Sequence, residues 1–305
     1  MHSPSRRDIT VDGLTGHAFS SGSTSPDAPV FVLIHGIGMS HRYFARLQQA
    51  LSAHGRVHSI DLPGFGATPH PEHPLSVEEY GAVVLRMLVE LGVRSCTLVG
   101  HSMGAQFATE TARLAPAVVS RLVLMGPVVD PRRRTVVQQA SALALDSLRE
   151  PPSANWLVFT DYLRCGIRWY LKTLPAMMGY RTEVVVREVE CPVLVLRGGS
   201  DPVASQEWCR MLTAAAPDGR LLSLPGHAHV VQQSGTARVA EAILGFSDGN
   251  LTASLARASS ERASSLSRRG EVSASSTNGA GSTHEASSAH GAGSTHEPRE
   301  GEARA

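Results

Sequence analysis

Ser102 sits in Gly100-His101-Ser102-Met103-Gly104, after the apolar run Cys96-Thr97-Leu98-Val99 and before a helix-like stretch that begins at Ala105. Strand, G-x-S-x-G turn and helix form the context in which a serine becomes a nucleophile rather than an ordinary surface hydroxyl. Such a turn is tight enough that residues two before and two after the serine must lack side-chain bulk, and Gly100 and Gly104 meet that demand. A strained backbone at Ser102 would lift its hydroxyl clear of the sheet. The Met103 N–H, at the start of the helix, points toward the same space, where a helix N-terminus favours negative charge.

A serine hydroxyl attacks at neutral pH only when a base takes its proton and a third group orients that base. The partners should lie on loops at the C-terminal ends of strands. Asp201 lies in Arg197-Gly198-Gly199-Ser200-Asp201-Pro202, and His229 in Leu224-Pro225-Gly226-His227-Ala228-His229, each just past an apolar run. Both have rivals: Asp130 follows the run ending at Met125, and His227 shares the loop of His229.

These loops need a sheet to carry them. Pro29–Ile34, Val57–Ile60, Cys96–Val99, Val119–Met125, Pro192–Arg197 and Arg220–Leu224 read as strands, the longest of them continuous apolar runs buried on both faces. Helical spacing appears over His41–His54, after Ser102, over Gln206–Ala216 and over Thr236–Phe246. Ser76 and Glu79 make a capping box for a further helix that runs to about Leu91 and ends at Gly92. Strand-like stretches on either side of Asp12-Gly13 suggest a β-hairpin or a pair of edge strands near the N-terminus. Strands alternating with helices predict an α/β fold with a mostly parallel, doubly wound sheet.

Two stretches break that rhythm. From Val128 to Glu190 helix-like segments carry Trp156, Phe159, Tyr162, Trp169, Tyr170 and Tyr180, as an inserted helical lid would. Those aromatics either fill a core between the lid helices or line a substrate pocket. From Asp248 the chain is rich in Ser, Ala, Gly and Arg, and Gly279–Glu285 recurs intact at Gly291–Glu297. Such composition buries too little apolar surface to offset chain entropy, so the expectation is one domain over residues 1–247, with its lid at about 128–190, and a disordered tail over 248–305.

The motifs together resemble the α/β-hydrolase superfamily and its small, lidded, serine esterase-like members. His35-Gly36-Ile37-Gly38 looks like that family's oxyanion loop, and Asp61-Leu62-Pro63-Gly64-Phe65-Gly66 like its turn after the next strand. Gly100–Gly104 is similar to the nucleophile elbow, and Gly199-Ser200-Asp201 and Gly226–His229 to the acid and base loops. The match runs from about Val30 to Phe246. The resemblance implies a catalytic triad of Ser102, Asp201 and His229, with backbone N–H groups of Ile37 and Met103 as the oxyanion hole. Losing one such donor typically costs about 3 kcal/mol of barrier. It favours His229 over His227 because apolar Val230-Val231 follow it, and it leaves Asp130 as the minority acid. It gives His35 a structural role, Asp61 a turn-fixing one, and His101 a place beside the elbow. Serine at the elbow excludes the aspartate-nucleophile chemistry of the dehalogenase and epoxide-hydrolase branches.

Composition narrows the rest. The chain has 305 residues, 42% hydrophobic and 18% charged, enough for a sizeable core. A net charge of +1 gives no reason to expect nucleic acid or an anionic membrane as partner. The first seven residues lead into no apolar stretch and no run reaches the length of a transmembrane helix, so the expected location is cytoplasmic. Cys96, Cys165, Cys191 and Cys209 show no metal-ligand spacing and read as buried reduced thiols. The tail histidines (His284, His290, His296) are too widely spaced for a metal site. No dinucleotide fingerprint and no Walker loop is present, so neither cofactor nor metal is implied. Arg132-Arg133-Arg134 reads as a solvated face or as a meeting point for an anionic substrate. The expected activity is hydrolysis of an ester-like bond in a small apolar acyl substrate. C–C bond, thioester or perhydrolase chemistry on the same residues is the alternative within the class, and a ligand-binding protein on a hydrolase scaffold the alternative outside it.

Overall fold

Strands that are apolar on both faces must be paired at both edges and covered on both sides. The computed structural model describes residues 3–147 and 152–251, and the apolar runs meet that requirement in one eight-stranded sheet. Its strands are β1 (Ser5–Val11), β2 (Leu14–Gly22), β3 (Val30–Ile34), β4 (Arg56–Asp61), β5 (Cys96–His101), β6 (Val119–Met125), β7 (Val193–Gly198) and β8 (Gly219–Leu224). They lie in the order β1-β2-β4-β3-β5-β6-β7-β8. β1 and β2 form the expected hairpin and β2 pairs antiparallel with β4, while every pair from β4 to β8 is parallel.

Side chains alternate between the two faces as the pleat requires. Phe31 and Leu33, Val123 and Met125, Leu194 and Leu196 pack with helices α1 (Ala45–Ser52) and α10 (Thr236–Ser247). Val32 and Ile34, Leu122 and Leu124, Val193 and Val195 pack on the opposite side. There they meet α2 (Val77–Glu90), α3 (Met103–Leu114) and α8 (Gln206–Ala215). The capping box of α2 is formed: Ser76 Oγ accepts the Glu79 N–H at 3.1 Å, and Glu79 Oε2 accepts the Ser76 N–H at 2.7 Å. The helix expected over His41–His54 begins as a 3-10 turn (His41–Phe44) before α1, because Asp61 holds the His41 backbone and ring and fixes the entry angle.

Between β6 and β7 the chain leaves the sheet through α4 (Val136–Ser147), α5 (Pro152–Cys165), α6 (Ile167–Gly179) and α7 (Thr182–Val185). Polar anchors tie this insertion down. Asp161 is buried and takes Ser40 Oγ at 2.7 Å and Arg42 Nη1 at 2.9 Å. Tyr180 Oη donates to Glu110 Oε2 at 2.9 Å, and Gln106 Nε2 to the Met177 carbonyl at 3.0 Å. The aromatics of the insertion divide three ways: Trp169 and Tyr180 are buried packing, Tyr162 and Tyr170 line a cavity, and Trp156 and Phe159 face outward. All four cysteines are buried and reduced. Of the expected tail, residues 252–305 lie outside the described residues. Among the described residues no helix is long and apolar enough to cross a membrane.

Candidate active site

Ser102 stands where β5 turns into α3, with φ 57° and ψ −124°, a backbone conformation that non-glycine residues rarely adopt. Its N–H is held by the Met125 carbonyl of β6 at 2.9 Å. The flanking glycines make the turn possible. A Cβ at Gly100 would collide with the Gly104 carbonyl, and one at Gly104 with the carbonyls of Ile34 and His35. These are backbone atoms with nowhere to go. Gly36 approaches from the β3 loop so closely that a Cβ there would lie 2.9 Å from Ser102 Cβ and 3.3 Å from its Oγ. The loop carrying Ile37 therefore lies against the serine, and Met103 opens α3 directly after it.

Asp201 and His229 come together at the same end of the sheet. The loops after β7 and β8 are zipped backbone to backbone: Gly199 N donates to Leu224 O at 2.7 Å and Ser200 N to His227 O at 2.9 Å. Gly198 lacks a Cβ where one would strike the carbonyls of His227 and Ala228. In that register His229 Nδ1 lies 2.9 Å from Asp201 Oδ2, with both side chains buried. Asp201 Oδ1 accepts the N–H groups of Val203 at 2.7 Å and Ala204 at 2.9 Å. Burial pushes the Asp201 carboxyl up. The imidazole and the two amides outweigh burial and hold it below its ordinary value. An ionised Asp201 requires a proton on His229 Nδ1, which leaves Nε2 as the basic nitrogen.

The rivals are placed elsewhere. Asp130 accepts Arg132 at 3.0 Å and 2.8 Å and Ser205 Oγ at 3.2 Å, capping the turn at Pro131–Arg133. His227 lies 3.1 Å from Ser234 Oγ. Arg132 pairs with Asp130 and Glu207, and Arg134 with Glu183, so neither serves the cavity at Ser102. His35 accepts Leu62 N–H at Nε2 and, through Nδ1, donates to Gly36 O, which couples the loops after β3 and β4. That bonding needs a neutral ring, and burial lowers its pKa accordingly. His101 donates from Nε2 to His229 O at 3.0 Å, and burial first, then the neighbouring imidazole, lowers its pKa to about 3. A neutral His101 places no positive charge beside the His229 ring, 4.8 Å away between ring centres.

A cavity of about 340 Å³ opens over Ser102 and His229, roofed by α4, α5 and α6. Ile37, Met39, Val128, Val158, Met177 and Val203 supply apolar wall. Tyr162 and Tyr170 stand edge to face, 5.2 Å between centres, against Gly38. Burial raises the pKa of both phenols, so they line the cavity as neutral donors. Among the described residues no lysine or arginine borders it, and the one carboxylate that does is Asp146 of α4. Asp146 Oδ1 accepts the His229 backbone N–H at 2.8 Å. The roof thus holds the backbone of the residue whose ring Asp201 orients. Sequence reasoning missed Asp146 and Asp161. Their signal was present: between Pro131 and Met178 only three acids occur, and these two stand in apolar helical stretches. Among the described residues no cluster of ligands suited to a metal ion is found.

Comparison with known proteins agrees with this architecture. The sequence model of the alpha/beta hydrolase family matches residues 31–242. An (E)-2-((N-methylformamido)methylene)succinate hydrolase from Acinetobacter baylyi is 26% identical over 248 residues, covering 75% of this chain and 92% of that one. A pimeloyl-[acyl-carrier protein] methyl ester esterase from Vibrio cholerae is 40% identical over 92 residues, covering 30% of this chain and 34% of the esterase. Among solved structures, an enol-lactonase from Burkholderia xenovorans superposes with a TM-score of 0.69 at 22% identity. That superposition covers 79% of this chain and 99% of the lactonase, a likeness of fold.

Proposed function

This chain belongs to the alpha/beta hydrolase family, and from that premise we propose that it cleaves an ester-like bond in a small, uncharged acyl substrate, with Ser102 as nucleophile. His229 Nε2 takes the hydroxyl proton as Oγ attacks the acyl carbon. Asp201 holds the ring and stabilises its cation. The N–H groups of Ile37 and Met103 receive the oxyanion. His229 then gives its proton to the leaving group, and a water activated by the same ring releases the acid. The observation that carries this reading is the Asp201–His229 contact at 2.9 Å, on a ring that shares one cavity with a serine held at φ 57°.

The lining supports an uncharged substrate. A carboxylate on the acyl group would find no cation among the described residues that line the cavity and would meet Asp146. The Acinetobacter relative acts on a succinate, a dianion, so this chain's substrate is proposed to differ from it in charge. The Vibrio relative, which is a methyl ester esterase, supports an ester as the scissile bond.

A fluorophosphonate probe tests the nucleophile. Rapid labelling of the wild-type chain that is lost in Ser102→Ala is the expected result; labelling that persists in the variant would remove Ser102 from the reaction. A paired assay on p-nitrophenyl butyrate and p-nitrophenyl hemisuccinate tests the charge rule. The neutral ester should show the higher kcat/KM by at least about tenfold, the scale of one unpaired buried charge or more.

A further inference from the structure

The outward side of the inserted helices has a composition that solvent alone does not explain. On α5, Trp156, Phe159 and Leu163 follow one another at three- and four-residue spacing, and on α6 Ile167 and Leu171 do the same. Each is between 53% and 67% exposed. They lie opposite the side chains that these helices bury, Asp161 and Cys165 on α5 and Trp169 and Thr173 on α6. Scattered apolar residues on a surface are ordinary, but five large ones on one face of two successive helices form a patch.

Its charge is as uneven as its hydropathy. The remaining exposed residues between 155 and 172 are Arg164, Arg168 and Lys172, and no acid is exposed in that span. The chain's net charge of +1 averages over this face and conceals it. Trp, Phe and Leu beside Arg and Lys is the composition of a surface that sits at the headgroup level of an anionic bilayer. Ile167 both belongs to the patch and lines the cavity over Ser102, so the patch reaches the mouth of the site.

We propose that the α5–α6 face docks on an anionic lipid surface and sets the cavity mouth against it, where apolar esters concentrate. The docking stands on the face itself, whatever bond the site cleaves; only the delivery of substrate rests on the reading of Ser102.

The full chain carries its own reporter. Trp169 and Trp208 are buried, so a blue shift of tryptophan emission on adding vesicles reports Trp156. The probe is large unilamellar vesicles of phosphatidylcholine with 30% phosphatidylglycerol, against phosphatidylcholine alone. Expected are co-sedimentation and a blue shift with the anionic vesicles, at least tenfold weaker partition onto neutral ones, and release by high salt. Two variants assign the effect to the face: Trp156→Ser/Phe159→Ser, and Arg168→Glu/Lys172→Glu. Each should weaken partition at least tenfold, a cation near such a surface being worth roughly fivefold. Hydrolysis of a water-soluble ester should stay unchanged in the first variant, since neither residue lines the cavity. Three results would overturn the proposal: no partition of the wild-type chain, partition that survives both variants, or a dimer in solution that Trp156→Ser/Phe159→Ser converts to monomer. The last would assign the face to a second copy of the chain.

Discussion

Asp201→Asn removes one charge and swaps one oxygen for an NH2 group, and the structure dictates which way the new amide must face. Asp201 Oδ1 takes two backbone N–H groups, from Val203 at 2.7 Å and Ala204 at 2.9 Å. An asparagine has one oxygen to offer, and turning its NH2 toward those donors would leave two buried N–H groups unpaired. At about 1–3 kcal/mol for each unpaired group, that orientation is disfavoured by several kcal/mol. The NH2 therefore faces His229 Nδ1, which must then be an acceptor, and the ring proton moves to Nε2. A base that already carries a proton at Nε2 cannot accept one from Ser102. The expected loss in kcat is about 10⁴-fold, or about 5 kcal/mol of barrier, with KM little changed. Steady-state hydrolysis of p-nitrophenyl butyrate measures it, and circular dichroism checks that the variant is folded. Asp130→Asn is the control. Its carboxylate faces Arg132 and Ser205, so activity should stay within about threefold of wild type while the turn at Pro131–Arg133 loosens. A loss of less than tenfold in Asp201→Asn, or a larger loss in Asp130→Asn, would refute the assignment of the acid.

Gly36→Ala places a methyl carbon 2.9 Å from Ser102 Cβ and pushes the loop carrying Ile37 away from the serine, so kcat should fall about 10²-fold while a melting curve shows the fold intact. Asp146→Ala deprives the His229 N–H of its acceptor and should lower kcat about tenfold, whereas Asp146→Asn, which keeps an acceptor oxygen, should retain most activity; equal losses in both would show that the hydrogen bond is not what matters. Acid should destabilise the fold through two buried histidines. Burial lowers His58 to about 4 and His101 to about 3, against about 6.5 in an unfolded chain. Both pKa values are depressed by folding, so the unfolded chain binds protons first: the full stability is present above about pH 6.5 and is lost as pH falls toward 4 and then 3. By pH 5 each ring should have cost about 2 kcal/mol, which urea unfolding at pH 7 and pH 5 would read as a lowered midpoint; identical midpoints would contradict neutral burial.

Elements whose signals are local were legible in the sequence. The strands of the parallel sheet, the box of Ser76 and Glu79, the stop at Gly92 and the glycine-flanked turn at Ser102 each depend on residues within a few positions of one another. Continuous apolar runs and capping side chains carry that information without reference to the rest of the chain. The short helix α9 (Val231–Ser234) went unforeseen because one turn of helix leaves no periodicity to detect.

Tertiary structure decided what depends on which distant groups meet. Two aspartates and two histidines were chemically equivalent candidates. The backbone zipper between the loops after β7 and β8 set Asp201 against His229, while Arg132 and Ser205 took Asp130. The same holds for the inserted helices. Periodicity alone could not say which of their faces turns inward, because aromatic residues lie on several sides of α5 and α6. Packing on the loop of Ser40 and Arg42 chose the inward side, buried Asp161, turned Tyr162 and Tyr170 to the cavity, and left Trp156 and Phe159 outside. A side chain's neighbours along the chain set its local geometry, but only closure of the fold determines whether it meets water, a carboxylate or a substrate.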